Sequence, residues 1–335
     1  MEDKVLLAHG SGGKLSHDLI EKSFVSSLSN PILDKLDDSA VFEVSGGRLA
    51  FTTDSYVVSP IFFPGGDIGK LAVCGTVNDL SMSGATPLYL SLSFIIEEGL
   101  LITDLEKIVN SVHQAATEAG IKIVAGDTKV VNQGGADKLF INTSGVGVVP
   151  QGVDISGANA QPGDRVIVSG TLGDHGIAVL SQREGLKFQV PVPSDCSPLN
   201  KLVAEMLETS ANIHCLRDPT RGGLATTLNE FAQQSRVGIN IDEASIPVNR
   251  AVAGTCELLG FDPLYVANEG KLVVVVTAAD ADKVLAKMRQ NQYGHEATII
   301  GEVVNEHPGR VVMKTRLGAS RIVDVLVGEL LPRIC

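Results

Sequence analysis

Strand-like and helix-like segments alternate along most of this chain, and this alternation constrains the fold more than any other feature of the sequence. In the first half, short strand-like runs alternate with segments whose apolar residues recur at helical spacing. The predicted strands here are 40–44, 48–53, 88–96, 121–125 and 139–149, and the predicted helices are 15–28, 67–82 and 103–119. Thr103 is predicted to cap the last helix and Gly120 to end it. The pattern favours an α/β or α+β arrangement.

The second half continues the alternation after a turn at Gln161-Pro162-Gly163-Asp164. Its predicted strands are 165–169, 239–242, 272–277, 297–303 and 310–313, and its predicted helices are 173–182, 199–209, 223–234, 249–258 and 280–289. A chain of 335 residues exceeds the size at which one hydrophobic core usually stops growing. We therefore predict two domains and a tail, with the bounds 1–157, 158–327 and 328–335.

Charge and cysteine content narrow the class of function. The net charge of −12 argues against nucleic acid or an anionic membrane as the main partner, since both attract basic surfaces. The N-terminus shows no signal-peptide pattern and no apolar run is long enough to span a bilayer, so we expect a cytoplasmic protein. The five cysteines contain no C-x-x-C pair, which fits neither a disulfide framework nor a zinc site.

One of these cysteines, Cys335, is the last residue of the chain. Pro332 fixes a backbone dihedral and lacks an amide donor, so the end of the chain is expected to move as a unit and to present an accessible thiol. The alternative is a cysteine that stands at an exposed end without any role. The other candidate residues decide between these two interpretations.

A glycine-rich segment opens the chain: His9-Gly10-Ser11-Gly12-Gly13-Lys14. It is not a Walker A motif, because the first required glycine is Ala8 and Leu15 replaces the Ser or Thr. Bare backbone N–H groups and one ammonium, just before a helix, can still fold over a triphosphate. A glycine-rich N-terminus without a ligand is the alternative.

Acidic residues recur at the ends of predicted strands and in nearby turns. The four such sites are Asp38, Asp54, Asp79 and Asp127. Each alone fits a turn or helix-cap residue, but carboxylates just past strand ends face the crevice where open α/β sheets bind ligands. An aspartate cluster without His or Cys suits Mg²⁺ with a nucleotide.

The second half contributes two further strings. Arg217-Asp218-Pro219-Thr220-Arg221-Gly222-Gly223 places two guanidiniums, a carboxylate and two glycines before a helix, which favours an anion. Asn268-Glu269-Gly270-Lys271 precedes an apolar strand, so burial is expected to raise the pKa of Glu269 and make it a base. An ordinary ion pair in a loop is the alternative for each string. His175, in Gly173-Asp174-His175-Gly176, is interpreted as a turn histidine rather than a catalyst.

Together these strings resemble the HypE family of hydrogenase maturation proteins, within the PurM-like ATP-binding superfamily. The matching residues, besides those quoted above, are Thr53-Asp54-Ser55, Phe62-Phe63-Pro64-Gly65-Gly66, Asn78-Asp79, Gly126-Asp127-Thr128-Lys129-Val130-Val131 and Pro332-Arg333-Ile334-Cys335. The resemblance implies a PurM-like two-domain fold: an N-terminal α/β domain that forms a barrel across a homodimer, and a C-terminal α+β domain followed by a flexible tail. It also implies Mg-ATP in the cleft.

The resemblance further implies a reaction and partners. A carbamoyltransferase, HypF, would load a carbamoyl group onto Cys335, and ATP-dependent dehydration would convert that group into a thiocyanate. The cyanide would then pass to an iron-carrying HypC–HypD complex that serves [NiFe] hydrogenases. Two alternatives stay open: a PurM-like enzyme that acts on a diffusible small molecule, and a non-catalytic carbamoyl carrier.

The chemistry of the residues assigns roles to these candidates. An amide oxygen is a poor leaving group, so dehydration needs phosphoryl transfer from ATP to that oxygen. The aspartates 38, 54, 79 and 127 would hold magnesium, while Lys14 and Lys129 would stabilise the transferring group. Glu269 is the first candidate for the base and His9 the second. The predicted nucleotide-binding residues are Gly10, Gly12, Gly13, Asp218, Arg221, Gly222 and Gly223.

Overall fold

The computed structural model describes residues 5–6, 9, 13–185, 192–326, 331 and 333–335. Within these, the first half contains the helical segments α1 (Lys14–Leu19), a π-helical turn (Ile20–Val25), α2 (Ser26–Leu28), α3 (Ile68–Met82) and α4 (Ile102–Ala119). Its strands are β1 (Ala40–Val44), β2 (Gly47–Tyr56), β3 (Phe62–Phe63), β4 (Gly66–Asp67), β5 (Thr86–Glu97), β6 (Lys122–Val131) and β7 (Leu139–Val149). Most of these elements lie where the periodicity predicted them.

The larger sheet of the first half has the order β1-β2-β7-β5-β6 among the described strands. Only its β5–β6 pair is parallel, and the other pairs are antiparallel. Helix α3 packs on β2 and β7, and α4 packs on α3. Asp67 begins α3, since its carboxylate accepts hydrogen bonds from the backbone N–H groups of Gly69 and Lys70.

The sequence predicted the C-terminal end of α4 correctly but not its N-terminal cap. Gly120 ends the helix with a φ of 76°, in the left-handed region that glycine adopts without strain, as predicted. The predicted Thr103 cap is wrong, because the helix begins one residue earlier and Leu101 stands at the cap position without a side-chain hydrogen bond. The backbone N–H groups of Asp104 and Leu105 both donate to the Leu101 carbonyl.

The second half is built on a sheet with the order β14-β13-β10-β12-β8-β11-β9 among the described strands. These strands are β8 (Arg165–Val168), β9 (Ile213–Arg217), β10 (Gly238–Asp242), β11 (Val273–Val276), β12 (Thr298–Val304), β13 (Val311–Lys314) and β14 (Ser320–Val323). The helices are α5 (Asp174–Arg183), α6 (Asn200–Thr209), α7 (Gly223–Ser235), α8 (Arg250–Leu259) and α9 (Ala278–Met288). The sequence interpretation missed β9 and β14.

The two halves share their hydrophobic core. The cluster around α3 also contains Val179 and Cys196 from the second half and Ile334 from the end of the chain. Nearly every residue of α3 is buried, since α6 and β9 cover the side that the first sheet leaves open. Within the described part of the chain, no helix combines the length and the apolar character needed to cross a membrane.

The end of the chain does not extend into solvent. Ile334 is only 2% exposed, and Cys335 is partly buried beside the same core. In this conformation the terminal thiol is therefore only partly accessible. The physical reason is that Ile334 supplies apolar area while the backbone around it is hydrogen-bonded on both sides.

Candidate functional site

A polar cavity of about 490 Å³ lies where the two halves of the molecule meet. The first half contributes Asp38, the end of β2 and Asp79 of α3, and the second half contributes the Arg217–Arg221 turn and the start of α7. A second cavity of about 400 Å³ shares part of this lining and adds apolar side chains: Ile32, Leu33 and Phe51. Together the two cavities offer a polar compartment and an apolar one.

Four aspartates among the described residues converge on the polar cavity: Asp38, Asp54, Asp79 and Asp218. Burial raises the pKa of Asp79 well above its usual range, and the charges of the other three raise it further. Burial and the charge of Asp38 raise the pKa of Asp218 to about 8. Burial also raises the pKa of Asp38 to about 6, although the Arg217 guanidinium acts in the opposite direction. Ionising all four carboxyls would therefore place more negative charge in the cavity than its surroundings compensate.

That surplus charge and its oxygen donors fit a hard divalent cation chemically. No three His, Cys, Asp or Glu side chains among the described residues are arranged closely enough to hold a metal ion by themselves. A cation here would therefore need ligands from outside this set, such as phosphate oxygens and water. Thr52 holds one of the carboxylates in place, since its hydroxyl donates to Asp79 Oδ2 over 3.0 Å.

Arg217 forms an ion pair with this cluster. Its Nε lies 2.9 Å from Asp38 Oδ1, and its other nitrogens donate to Glu230 and to the Leu36 carbonyl. His17 pairs with the same glutamate over 3.2 Å, and this hydrogen bond raises the pKa of His17. The sequence interpretation placed Arg217 in an anion-favouring turn but did not predict its ion pair with Asp38, and it did not select His17 or Glu230.

The two glycines of the Arg217–Gly223 string give the turn its shape. Gly222 and Gly223 have φ values of 80° and 60°, and a Cβ on Gly223 would lie 2.4 Å from the Leu264 carbonyl oxygen. Helix α7 starts at this turn without a side-chain cap. Thr226, in its first turn, lines the cavity, and its buried hydroxyl has no hydrogen-bond partner in the described structure. An open helix N-terminus therefore faces the cavity.

Asn268 connects three of the strings that the sequence singled out. Its carboxamide oxygen accepts a hydrogen bond from Gly173 N–H over 2.7 Å, and its Nδ2 donates to the Pro219 carbonyl over 2.9 Å. Asp195 holds the next part of the loop, accepting from the backbone N–H groups of Glu269 and Gly270. These bonds fix the backbone that carries Glu269.

The Glu269 side chain is 3% exposed. Burial raises its pKa well above the usual range, and the charges of neighbouring Asp218 and Asp54 act in the same direction. Its Oε1 atom is buried without a hydrogen-bond partner among the described residues. The predicted burial of this carboxyl is confirmed.

The terminal sulfur lies within the same group of charges. Burial raises the pKa of the Cys335 thiol to about 12, while the nearby Arg221 guanidinium acts in the opposite direction and Glu269 and Asp54 add to the increase. The pKa of Arg221 is raised in turn, first of all by Cys335. Cys335, Arg221 and Glu269 thus form one electrostatically coupled set beside the acidic cavity.

Comparison with known proteins identifies the family. Models of the N-terminal and C-terminal domains of AIR synthase related proteins match residues 36–149 and 161–314. A curated relative from Cupriavidus necator, named carbamoyl dehydratase HypE, is 54% identical over 333 residues, which cover 99% of this chain and 95% of the relative. This chain belongs to the HypE family.

Two solved structures of that family match nearly the whole chain. A HypE–HypF complex gives a TM-score of 0.88 at 52% identity and covers 92% of this chain and 99% of the other. A structure of HypE in complex with ATP gives a TM-score of 0.84 at 50% identity and covers 99% of this chain and 100% of the other. The predicted family and two-domain PurM-like fold are confirmed, while the bounds 1–157, 158–327 and 328–335 stay predictions.

The candidate site residues of the glycine-rich opening segment lie in different environments. His9 lines the polar cavity, whereas Lys14 is exposed at the start of α1 and does not line it. Gly13 is buried, and a Cβ there would lie 2.3 Å from the Leu326 carbonyl oxygen. Gly10 and Gly12 lie outside the described residues.

Asp127 and Lys129 do not join the other candidates within one chain. Both lie on β6, where nine of ten residues are exposed, and their side chains form an ion pair of 2.8 Å. Strand β6 is also the last strand of its sheet, and it exposes Val124 and Val130. Sequence position alone grouped Asp127 with the other strand-end aspartates, since it could not show which sheet edge this residue occupies.

Proposed function

We propose that this protein dehydrates, with ATP, a carbamoyl group on Cys335 to a thiocyanate, in keeping with the name carbamoyl dehydratase that curated relatives carry. The product would supply cyanide ligands to the [NiFe] hydrogenase iron centre. The observation that carries the proposal is the docked end of the chain, which brings the sulfur into the same set of charges as Arg221 and Glu269. An enzyme for a diffusible substrate would not need its own terminal thiol there.

ATP is proposed to span the two adjoining cavities. The apolar compartment with Phe51 suits a base, and the polar compartment with the open start of α7 suits phosphates. The HypE structure solved with ATP supports ATP as the ligand. We retain Gly10, Gly12, Gly13, Asp218, Arg221, Gly222 and Gly223 as proposed nucleotide-binding residues, the two turn glycines through backbone shape.

Magnesium is proposed between the nucleotide phosphates and Asp38, Asp54 and Asp79. Their raised pKa values indicate carboxylates whose ionised forms lack compensation, which a cation would provide. Bound there, it would neutralise phosphate charge and lower the pKa of Glu269, whose neighbours include two of the cavity carboxylates, Asp54 and Asp218.

The chain's own residues have proposed roles in the reaction. Phosphoryl transfer from ATP to the carbamoyl oxygen makes that oxygen a leaving group, and loss of both nitrogen protons with departure of phosphate leaves the nitrile. Glu269 is the proposed base, since it is buried beside the sulfur and has an oxygen without a partner. His9, at the cavity wall, remains the second candidate.

We propose a homodimer that pairs along the exposed edge strand β6. Unpaired N–H and C=O groups together with exposed Val124 and Val130 make this edge suited to pairing with a second copy. Asp127 and Lys129 would then act at a site completed by two chains, and Lys14 is retained as the second lysine for the transferring group. HypF as carbamoyl donor, HypC–HypD as acceptor and a cytoplasmic location remain part of the proposal.

Mass spectrometry of the C-terminal peptide tests the proposal. After incubation with the carbamoylating partner, ATP should remove one water from carbamoylated Cys335. Glu269→Gln should still bind ATP and accept the carbamoyl group but should not lose water. A carbamoyl mass that is stable with ATP would favour a carrier, an unmodified Cys335 would favour a small-molecule enzyme, and full turnover by Glu269→Gln would remove Glu269 from this role.

A further inference from the structure

Each of the last three carbonyl groups of the chain accepts a hydrogen bond from the folded body. The Arg333 carbonyl accepts from Ser59 N–H over 3.2 Å and from Arg183 Nη2 over 2.8 Å. The Ile334 carbonyl accepts from His175 Nε2 over 2.8 Å, and the Cys335 carbonyl accepts from Val57 N–H over 3.1 Å. The chain end is thus held through its backbone, residue by residue.

These donors come from two sides. Val57 and Ser59 follow β2 of the first half, whereas His175 and Arg183 belong to α5 of the second half. The backbone donors of Val57 and Ser59 are two residues apart, so a chain end displaced by two residues would still meet them. The two α5 side chains remove that ambiguity, because each reaches one particular carbonyl.

The geometry determines the tautomer of His175. A carbonyl oxygen only accepts, so Nε2 must carry the proton that bonds to Ile334. Nδ1 lies 2.8 Å from Ser194 Oγ and accepts from that hydroxyl, which in turn accepts from Cys196 N–H over 3.1 Å. The imidazole is fully buried, and burial lowers its pKa, so the ring is neutral.

Both ring nitrogens of His175 are therefore engaged, and neither is available as a base. Phe63 also packs edge-on against the imidazole, with ring centroids 5.3 Å apart, which fixes the plane of the ring. The carbonyl that His175 binds belongs to the peptide unit that carries Cys335. Its orientation decides where the next residue's sulfur points.

We infer that His175, assisted by Arg183, is a positioning residue that sets the register of the docked chain end, so that the sulfur of residue 335 lies beside Arg221 and Glu269. Ile334 provides apolar area for docking, while the α5 donors select one register. The part of this inference that concerns catalysis rests on the proposed dehydration. The part that concerns docking does not.

Alkylation of the terminal thiol measures docking without ATP or any partner. The other four cysteines are buried, so a small alkylating reagent reports on Cys335. His175→Phe keeps an aromatic ring but lacks the donor, and we expect Cys335 to react about tenfold faster, which corresponds to about 1.4 kcal/mol of lost docking free energy. His175→Gln, which restores an N–H donor, should react at nearly the original rate.

His113→Phe is the matched control, because this histidine is exposed on α4 and should leave the rate unchanged. Equal rates for His175→Phe and the unmodified protein would overturn the inference. An alkylation rate for His175→Gln as high as that for His175→Phe would also overturn the inference, since it would indicate a packing effect rather than a lost donor.

A Gly inserted between Ile334 and Cys335 tests the register directly and should slow water loss without slowing carbamoyl loading.

The catalytic consequence has its own readout. With carbamoylated protein, His175→Phe should lower the single-turnover rate of water loss about tenfold while ATP affinity stays the same. If the carbamoylated protein with His175 intact loses no water at all, the proposed function fails, and the alkylation result still decides the docking role. If water loss is unchanged in His175→Phe although alkylation is faster, the register claim is wrong.

Discussion

Replacing Asp218 with Asn should stabilise the protein in the absence of ligands, although it removes a residue of the proposed site. Asp218 is 6% exposed, and burial with the charge of Asp38 raises its pKa to about 8. A carboxyl whose pKa is higher in the folded state stays protonated there while the unfolded chain ionises. Its contribution is complete below about pH 4 and is lost as pH rises towards 8.

The expected size follows from that interval. Each pH unit between the ordinary pKa of an aspartate and the raised pKa of Asp218 costs the folded state about 1.4 kcal/mol. The stability that Asp218 removes between pH 5 and pH 8 therefore has an upper bound of about 4 kcal/mol. The charge of Asp218 also raises the pKa of Asp79, so the pKa of Asp79 should fall in the variant. We expect Asp218→Asn to be about 2–4 kcal/mol more stable than the original at pH 8, or roughly 4–8 °C in Tm.

Thermal unfolding between pH 5 and pH 8, with a chelator present, measures this effect. Asp280→Asn is a control of opposite sign, because hydrogen bonds from Ser210, Lys283 and Asn212 hold the pKa of Asp280 at about 2, so that its removal should destabilise the fold. With Mg-ATP, Asp218→Asn should gain less Tm than the original protein. If Asp218→Asn is less stable at pH 8 and keeps the original pH slope, Asp218 is ionised and paired, and the reasoning is refuted.

Two further predictions concern positions that shape the site. Arg217→Met should cost about 3–5 kcal/mol in chemical denaturation, because it leaves the carboxylates of Asp38 and Glu230 without their buried partner; an unchanged midpoint would contradict this. Gly270→Ala should reduce water loss from Cys335 strongly, since its Cβ would lie 1.8 Å from the Asp195 carbonyl oxygen and displace the Glu269 loop. Gly254→Ala in α8, where a Cβ meets nothing within 4 Å, is its control and should gain about 0.5–1 kcal/mol.

The parts of the site that the sequence could predict follow from local rules. Asp38 stands two residues before β1 and Asp54 two residues before the end of β2, and both line the cavity. Glu269 precedes an apolar strand, and its burial follows from that position. Each of these inferences needs only the chemistry of one short segment.

The parts that could not be predicted depend on contacts between distant segments. Arg217 reaches Asp38 across 179 positions of sequence, and no pattern in either segment indicates the pairing. Asp127 looks like the other strand-end aspartates, yet the sheet order places its strand at an outer edge. His175 was interpreted as a turn residue because its partner, the Ile334 carbonyl, is a backbone atom 159 residues away.

The docked thiol has a consequence for the order of events. With its pKa raised to about 12, the Cys335 thiol is ionised in only about one molecule in 10⁵ at pH 7 while the chain end is docked. The thiolate is the reactive form of cysteine, so transfer of a carbamoyl group to this sulfur is favoured when the chain end has left the cleft. Carbamoylation replaces the thiol proton, so the modified sulfur is neutral in the cleft, as the docked thiol is at pH 7. Loading is therefore favoured outside the cleft, and the neutral carbamoylated sulfur then docks beside Glu269 and Asp54 as the free thiol does.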